Sequence, residues 1–237
     1  MRVLALDTTT RCGSVALMEE LPGAGARLMG VVGTQSDEAY STRLFRQVEF
    51  LLSEAALKTS DVDLFAAASG PGTFTGLRVG LTAVKGWAEV HGKPIVAMSA
   101  LEAMASQVQI TEGGINRIVA LEDARRGQVF AGIYECMEGR LRRLADDAVL
   151  SPAELWLHLT AVLSESDFVF AGASIEPLTR LILESPFRRM PIVAVSPILA
   201  PAIARIALRK AKQGETCDAL TLDAHYVRRT DAEVNFG

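Results

Sequence analysis

Asp7 ends the apolar run "RVLALD" and is followed by Thr8, Thr9, Thr10, Arg11, Cys12 and Gly13. A carboxylate at a strand end, ahead of a glycine-bearing turn, has the chemistry to hold hydrated magnesium while main-chain amides wrap a phosphate. The same carboxylate caps its own turn when short polar side chains such as Thr8 and Thr9 lie beside it. Asp7 is read as such a cap, with a weak nucleotide site as the alternative. The second candidate is "SGPGTFTGLRVG", which gathers Gly70, Pro71, Gly72, Thr73, Thr75, Gly76 and Gly80. A phosphate-binding P-loop needs Lys and then Ser or Thr directly after its last glycine, whereas Leu77 and Arg78 follow Gly76. The dinucleotide fingerprint fails as well, because three residues rather than two separate Gly72 from Gly76. Ser69 sits in no G-x-S-x-G elbow and has no histidine near it in sequence. His91, His158 and His225 form no pair at helical spacing, and Cys12, Cys136 and Cys217 form no C-x-x-C motif. Neither a catalytic residue nor a metal site is expected, and the thiols are expected to be reduced.

The glycine loop runs into a helix expected over 75–91. Leu77, Leu81, Val84 and Ala88 make one stripe at helical spacing, while Gly76, Gly80, Ala83 and Gly86, with Val79 and Val90, lie on the other side. Glycine inside a helix costs roughly 1 kcal/mol against alanine, so several of them imply the close approach of another backbone. The preceding helix, about 39–58, carries Leu44, Phe45, Val48, Leu51, Leu52 and Ala55 as a core stripe, with Phe50 and Leu57 beside Arg43, Arg46 and Glu54 on the opposite face. A second apolar strip on a polar face points to a partner. The expected pairing surface is Arg43, Phe50, Leu57, Gly76, Gly80, Ala83 and Val90, and the loop from Gly70 to Thr75 shapes the entry to the second helix.

The whole chain is built on a repeat. "VLALDTTTRCGSVALME" and "IVALEDARRGQVFAGIYE" are each an apolar strand with an acidic residue at its end, a glycine-bearing turn and a second apolar strand. Each is followed by a third strand and then by alternating helices and strands, so the order βββαβα occurs twice; Ser151 before Pro152 suits a helix N-cap in the second copy. Three antiparallel strands followed by alternating helices and parallel strands describe a mixed sheet covered by helices. The fold expected is a duplicated ribonuclease-H-like α/β fold of the actin, sugar-kinase and Hsp70 group. The lobes divide at residues 1–104 and 105–237, near the polar stretch "SQVQITEGGINR", and the terminal segment is expected to return to the first lobe.

Composition narrows the function. The chain has 237 residues, 49% of them hydrophobic and 22% charged, and a formal net charge of -4. Basic residues are scattered in short pairs such as Arg125-Arg126, Arg142-Arg143 and Arg228-Arg229, so unaided nucleic-acid binding is disfavoured. The opening "MRVLALDTT" lacks the order of a signal peptide, and the expected location is the cytoplasm.

Taken together, "LALDTTTRCGSVAL", "SGPGTFTGLRVG", "KGWAEVHGKPIVAMSALEAMA", "DARRGQVFAGIYE" and "HYVRRTDAE" resemble the TsaB (YeaZ) family across essentially the whole chain. The resemblance implies a noncatalytic relative of TsaD, the subunit that transfers a threonylcarbamoyl group to the tRNA adenosine next to the anticodon. It further implies pairing with TsaD through the first lobe's helices, a similar homodimer in isolation, and docking of the small ATPase TsaE where the subunits meet. By the same resemblance the chain holds no cofactor, ATP is used by the partner subunits, tRNA is met only within the complex, and no membrane is involved. TsaD-like chains carry an H-x-x-x-H metal pair after the second helix; aligned there, this sequence has Ala100 and Met104, which cannot ligate a hard divalent ion. Two other classes remain as alternatives at this stage. One is an autonomous actin-like ATP-binding transferase or kinase working at Asp7, and the other is a peptidase acting on TsaD.

Overall fold

The computed structural model describes residues 1–109, 114–164, 167–173, 175–225 and 227. It separates into two compact units, Met1–Ala103 with Ile198–His225, and a second built on Met104–Pro197. Arg228 and Arg229, and most of the terminal "HYVRRTDAE", lie outside the described residues.

In the first unit β1 (Arg2–Asp7), β2 (Cys12–Leu21), β3 (Gly25–Gln35), β4 (Leu64–Gly70) and β5 (Ile95–Ser99) form one sheet in the order β3-β2-β1-β4-β5. β1 runs antiparallel to β2 and parallel to β4, so the central strand is where hairpin and crossover topology meet. Val3, Leu4, Ala5 and Leu6 are buried along β1, which reads as a continuous apolar run because both faces are covered. Helix α1 (Tyr40–Glu54) and α2 (Phe74–His91) follow β3 and β4, and a short α3 (Ala100–Ala105) follows β5. Gly92, in the left-handed region at φ 59°, ends α2.

The second unit repeats the plan. β6 (Arg117–Asp123), β7 (Val129–Met137), β8 (Arg140–Leu150), β9 (Val169–Gly172) and β10 (Ile192–Ala194) are ordered β10-β9-β6-β7-β8. The helices are α4 (Pro152–Leu163) and α5 (Ile175–Leu183). Ser151 caps α4 in a capping box: its hydroxyl accepts from the Glu154 amide while the Glu154 carboxylate accepts from the Ser151 amide. Val119, Leu121, Leu155, Leu159, Phe168 and Phe170 belong to its separate core. Two sheets with the same strand order establish the duplicated ribonuclease-H-like fold.

One assignment in the sequence reading is corrected. The helix α6 (Ala200–Lys212), which the expected division at 105–237 places in the second lobe, belongs to the first unit. The Ala200 amide donates to Ser14 Oγ at 3.0 Å, and Ala202, Ile203, Ile206 and Ala207 are buried. Residues 217–225 continue in the same unit: Cys217 bridges to Ile95, Leu222 enters the core, and the His225 amide donates to Ser69 O at 2.8 Å.

Candidate functional site

Helix α1 buries Arg43, Leu44, Gln47, Val48, Leu51 and Leu52. At helical spacing this stripe leaves Phe45 on one flank and Phe50 on the other, 51% and 55% exposed. The placement of Phe45 in the core stripe is therefore corrected. It stands on the side of α2, edge-on to Trp87 with ring centroids 5.7 Å apart, and Trp87 in turn stacks on Phe65 at 5.9 Å. Between the helices runs an open groove of about 510 Å³, lined by Phe45 from α1 and by Val79, Ala83, Gly86, Trp87 and Val90 from α2. Val90 is 77% exposed, and a Cβ added at Gly86 would meet nothing within 4 Å. Exposed aromatic and aliphatic side chains around a helical groove form a surface that gains by being covered.

Several residues expected on the pairing surface lie elsewhere. Arg43 is 2% exposed and faces inward: Nη1 donates to Thr34 O and Oγ1, Nη2 donates to Arg11 O at 3.0 Å, and the guanidinium lies 4.0 Å over the Tyr40 ring. Leu57 packs, half-buried, against the first core. Gly76 and Gly80 are buried, and the close approach they permit is to this chain's own residues, the Thr8 main chain at Gly76 and the Thr8 and Leu6 side chains at Gly80. A Cβ at Gly76 would overlap the Thr8 carbonyl, and one at Gly80 would overlap the Thr8 hydroxyl. Ala83 and Val90 do line the groove, and Phe50 lies exposed on the other flank of α1.

The loop is shaped by the same crowding. Gly70 adopts φ +134° and has no room for a side chain against the His225 carbonyl. Gly72 packs on Thr9, and Thr73 sends its amide to Thr9 O at 2.7 Å; Thr73 and Thr75 are exposed and Pro71 is buried. The loop is a joint through which the chain packs on itself.

Asp7 is 1% exposed. Its Oδ1 accepts from the Thr9 amide at 2.9 Å and the Thr9 hydroxyl at 2.6 Å, while Oδ2 has no partner. Burial pushes its carboxyl up to about 6, against the opposing pull of the two Thr9 bonds. An actin-like fold implies a magnesium nucleotide here, with the turn around Gly13 wrapping the phosphates. The residues present do not fit one, because the Tyr40 phenol fills the space over Gly13 and its hydroxyl donates to Thr10 O at 2.6 Å. Ser69 Oγ donates to Met98 O at 3.2 Å, and His225 meets Ser69 through main chain, so no nucleophile and base face each other there. Ala100 and Met104 are core residues, 5% and 2% exposed. Among the described residues no cluster of three or more His, Cys, Asp or Glu has metal-binding geometry, and no helix is long and apolar enough to cross a membrane.

Phe45 and Trp87 are the groove residues that sequence reasoning missed. The available signal was spacing: Ala83, Trp87 and Val90 recur at helical intervals, and Phe45 stands at the edge of its stripe.

The class defined by this fold and surface is a duplicated actin-like α/β protein whose exposed chemistry is an apolar helical groove. A family model described as TsaD, tRNA N6-adenosine threonylcarbamoyltransferase, matches residues 24–226. A Bacillus subtilis tRNA threonylcarbamoyladenosine biosynthesis protein TsaB is 29% identical over all of this chain and 98% of its own length. The Escherichia coli protein of the same description is 31% identical over 64% of this chain and 63% of its own. Among solved structures, a Pseudomonas aeruginosa protein described as similar to peptidase YeaZ superposes with a TM-score of 0.78 at 31% identity, covering 96% of this chain and 99% of that one. The chain belongs to the TsaD family, in its TsaB (YeaZ) branch.

Proposed function

We propose that this chain serves threonylcarbamoyladenosine formation in tRNA as a noncatalytic subunit that pairs with TsaD through the α1–α2 groove. The observation that carries the reading is the groove itself, where Phe45 and Val90 stand more than half exposed at the rim of an apolar trough. Fully covering side chains of this size contributes about 1.5–3 kcal/mol each, enough to anchor an interface. The absence of chemistry of its own is supported by Ala100 and Met104, which occupy with core side chains the positions where TsaD-like relatives hold their histidine pair. In isolation the same groove pairs two copies of the chain, and in the complex the paired subunits offer TsaE its docking place. Location in the cytoplasm and the use of ATP by the partner subunits alone belong to the same reading.

The test is Gly86→Trp, since the Cβ position at Gly86 opens onto the groove and an indole carried there occupies it. The expected outcome is loss of co-purification with TsaD and loss of tRNA modification in a reconstituted system, with the circular dichroism and unfolding midpoint of the wild type. Retained pairing by the folded variant overturns the assignment of the groove. Calorimetry with magnesium and ATP on the isolated chain separates this reading from an autonomous kinase, which would give binding heat.

A further inference from the structure

The turn over residues 8–11 presents its carbonyls to two helices. Three consecutive carbonyls are taken from outside: Thr9 O by the Thr73 amide at 2.7 Å, Thr10 O by Tyr40 Oη at 2.6 Å, and Arg11 O by Arg43 Nη2 at 3.0 Å. The Thr8 hydroxyl adds a fourth bond, donating to Gly76 O at 2.8 Å. Thr73 is the N-cap of α2 and Gly76 lies in its first turn, and Tyr40 and Arg43 lie in the first turn of α1. Neither helix has a side-chain hydrogen bond at its N-cap, and these attachments tie both N-termini to the same turn. The turn is itself anchored to the central strand by the two bonds from Thr9 to Asp7 Oδ1. Thr8 and Thr9 are each 1% exposed, so the Thr8 bond to Gly76 O and the Thr9 bonds to Asp7 are buried, where a lost partner is costly. Ser41 and Phe45 on α1, and Arg78 and Val79 on α2, line the groove within about one turn of the attachment points.

We propose that the turn over residues 8–11 is a tie that sets the spacing of α1 and α2, with Thr8 and Tyr40 acting as positioning residues for the pairing groove. The hairpin that in a nucleotide-binding relative would wrap phosphate is here closed by the chain's own helices and fixes the width of the surface those helices present. The effect on pairing rests on the function proposed above; the effect on the groove itself does not.

Trp87 lies in the groove wall and reports its geometry, so the experiment uses the full chain carrying Trp156→Phe, which leaves Trp87 as the single indole. Thr8→Val removes one tie to α2 with little change of volume, and Tyr40→Phe removes one tie to α1. Ser14→Ala, on the same hairpin, removes the bond to α6 instead and serves as the control. The expected result is a changed Trp87 emission maximum and raised acrylamide quenching in Thr8→Val and Tyr40→Phe, no change in Ser14→Ala, and recovery in Thr8→Ser. Affinity for TsaD should fall about fivefold in each tie variant, the equivalent of one net hydrogen bond. Parental Trp87 emission and quenching in both folded tie variants overturns the proposal, and so does an equal change in Ser14→Ala. If the parent protein itself fails to pair with TsaD, the groove's function is refuted and the Trp87 signal still decides the tie.

Discussion

Asp7 shows how one carboxyl changes meaning with its surroundings. Buried in the fold, its acid form is favoured, and its pKa rises from 3.8 to about 6. The sign follows from linkage: the folded state binds the proton more tightly, so the contribution of Asp7 to stability is fullest below pH 3.8 and is lost as pH rises through 6. Urea unfolding of the wild type and of Asp7→Asn across pH 4.5 to 7.5 should therefore diverge, the wild type losing on the order of 2 kcal/mol relative to the variant. A constant difference across that range would show that the carboxyl does not titrate in the folded protein. Arg43 makes the complementary point. Among polar neighbours in the sequence it looks like a surface cation, yet it reaches Thr34 and Arg11 and is almost wholly buried. It sits at the edge of the buried stripe of α1, four residues before Gln47, whereas Arg46 lies on the far side of the helix, stays out and pairs with Glu38.

Helix α2 carries glycines with two different purposes. Gly76 is in contact with the Thr8 carbonyl, a main-chain group that cannot move aside, whereas Gly86 faces open space. Gly76→Ala should destabilise by about 1–3 kcal/mol through overpacking, while Gly86→Ala should be neutral or stabilise by up to about 1 kcal/mol through helix propensity. Chemical denaturation of the two single variants distinguishes them, and equal effects would mean that the close contact at Gly76 is absent. The periodicity of α2 made both sides of the helix legible as packed, because small and apolar residues recur at 3–4 residue intervals. It did not reveal which side met this chain's own hairpin and which was left for a partner. Helical spacing fixes angles around an axis, and the neighbours at those angles come from strands and turns far away in sequence.

Across the whole molecule, the first unit is completed by residues from the chain's far end. Ile203, Ile206, Leu208 and Leu222 are all buried there. A chain stopped after Pro197 should lose the cooperative unfolding of its first unit and bind a hydrophobic dye, because the face of the sheet covered by α6 is then exposed. Native-like cooperativity in that truncation would refute the role assigned to α6. The duplicated βββαβα order was readable from the chain alone, since strand and helix periods depend on residues a few positions apart and each hairpin repeats its glycine turn. So was the cap of α4, a local arrangement of Ser151, Pro152 and Glu154. By itself the sequence determined the elements, their order and the glycines that tolerate close contact. Only the tertiary structure decided that α6 belongs to the first unit, that Arg43, Gly76 and Gly80 turn inward, and that Phe45 and Trp87 frame the groove. Those outcomes depend on which distant segments compete for the same buried face, and that competition is settled by packing and desolvation summed over the whole fold.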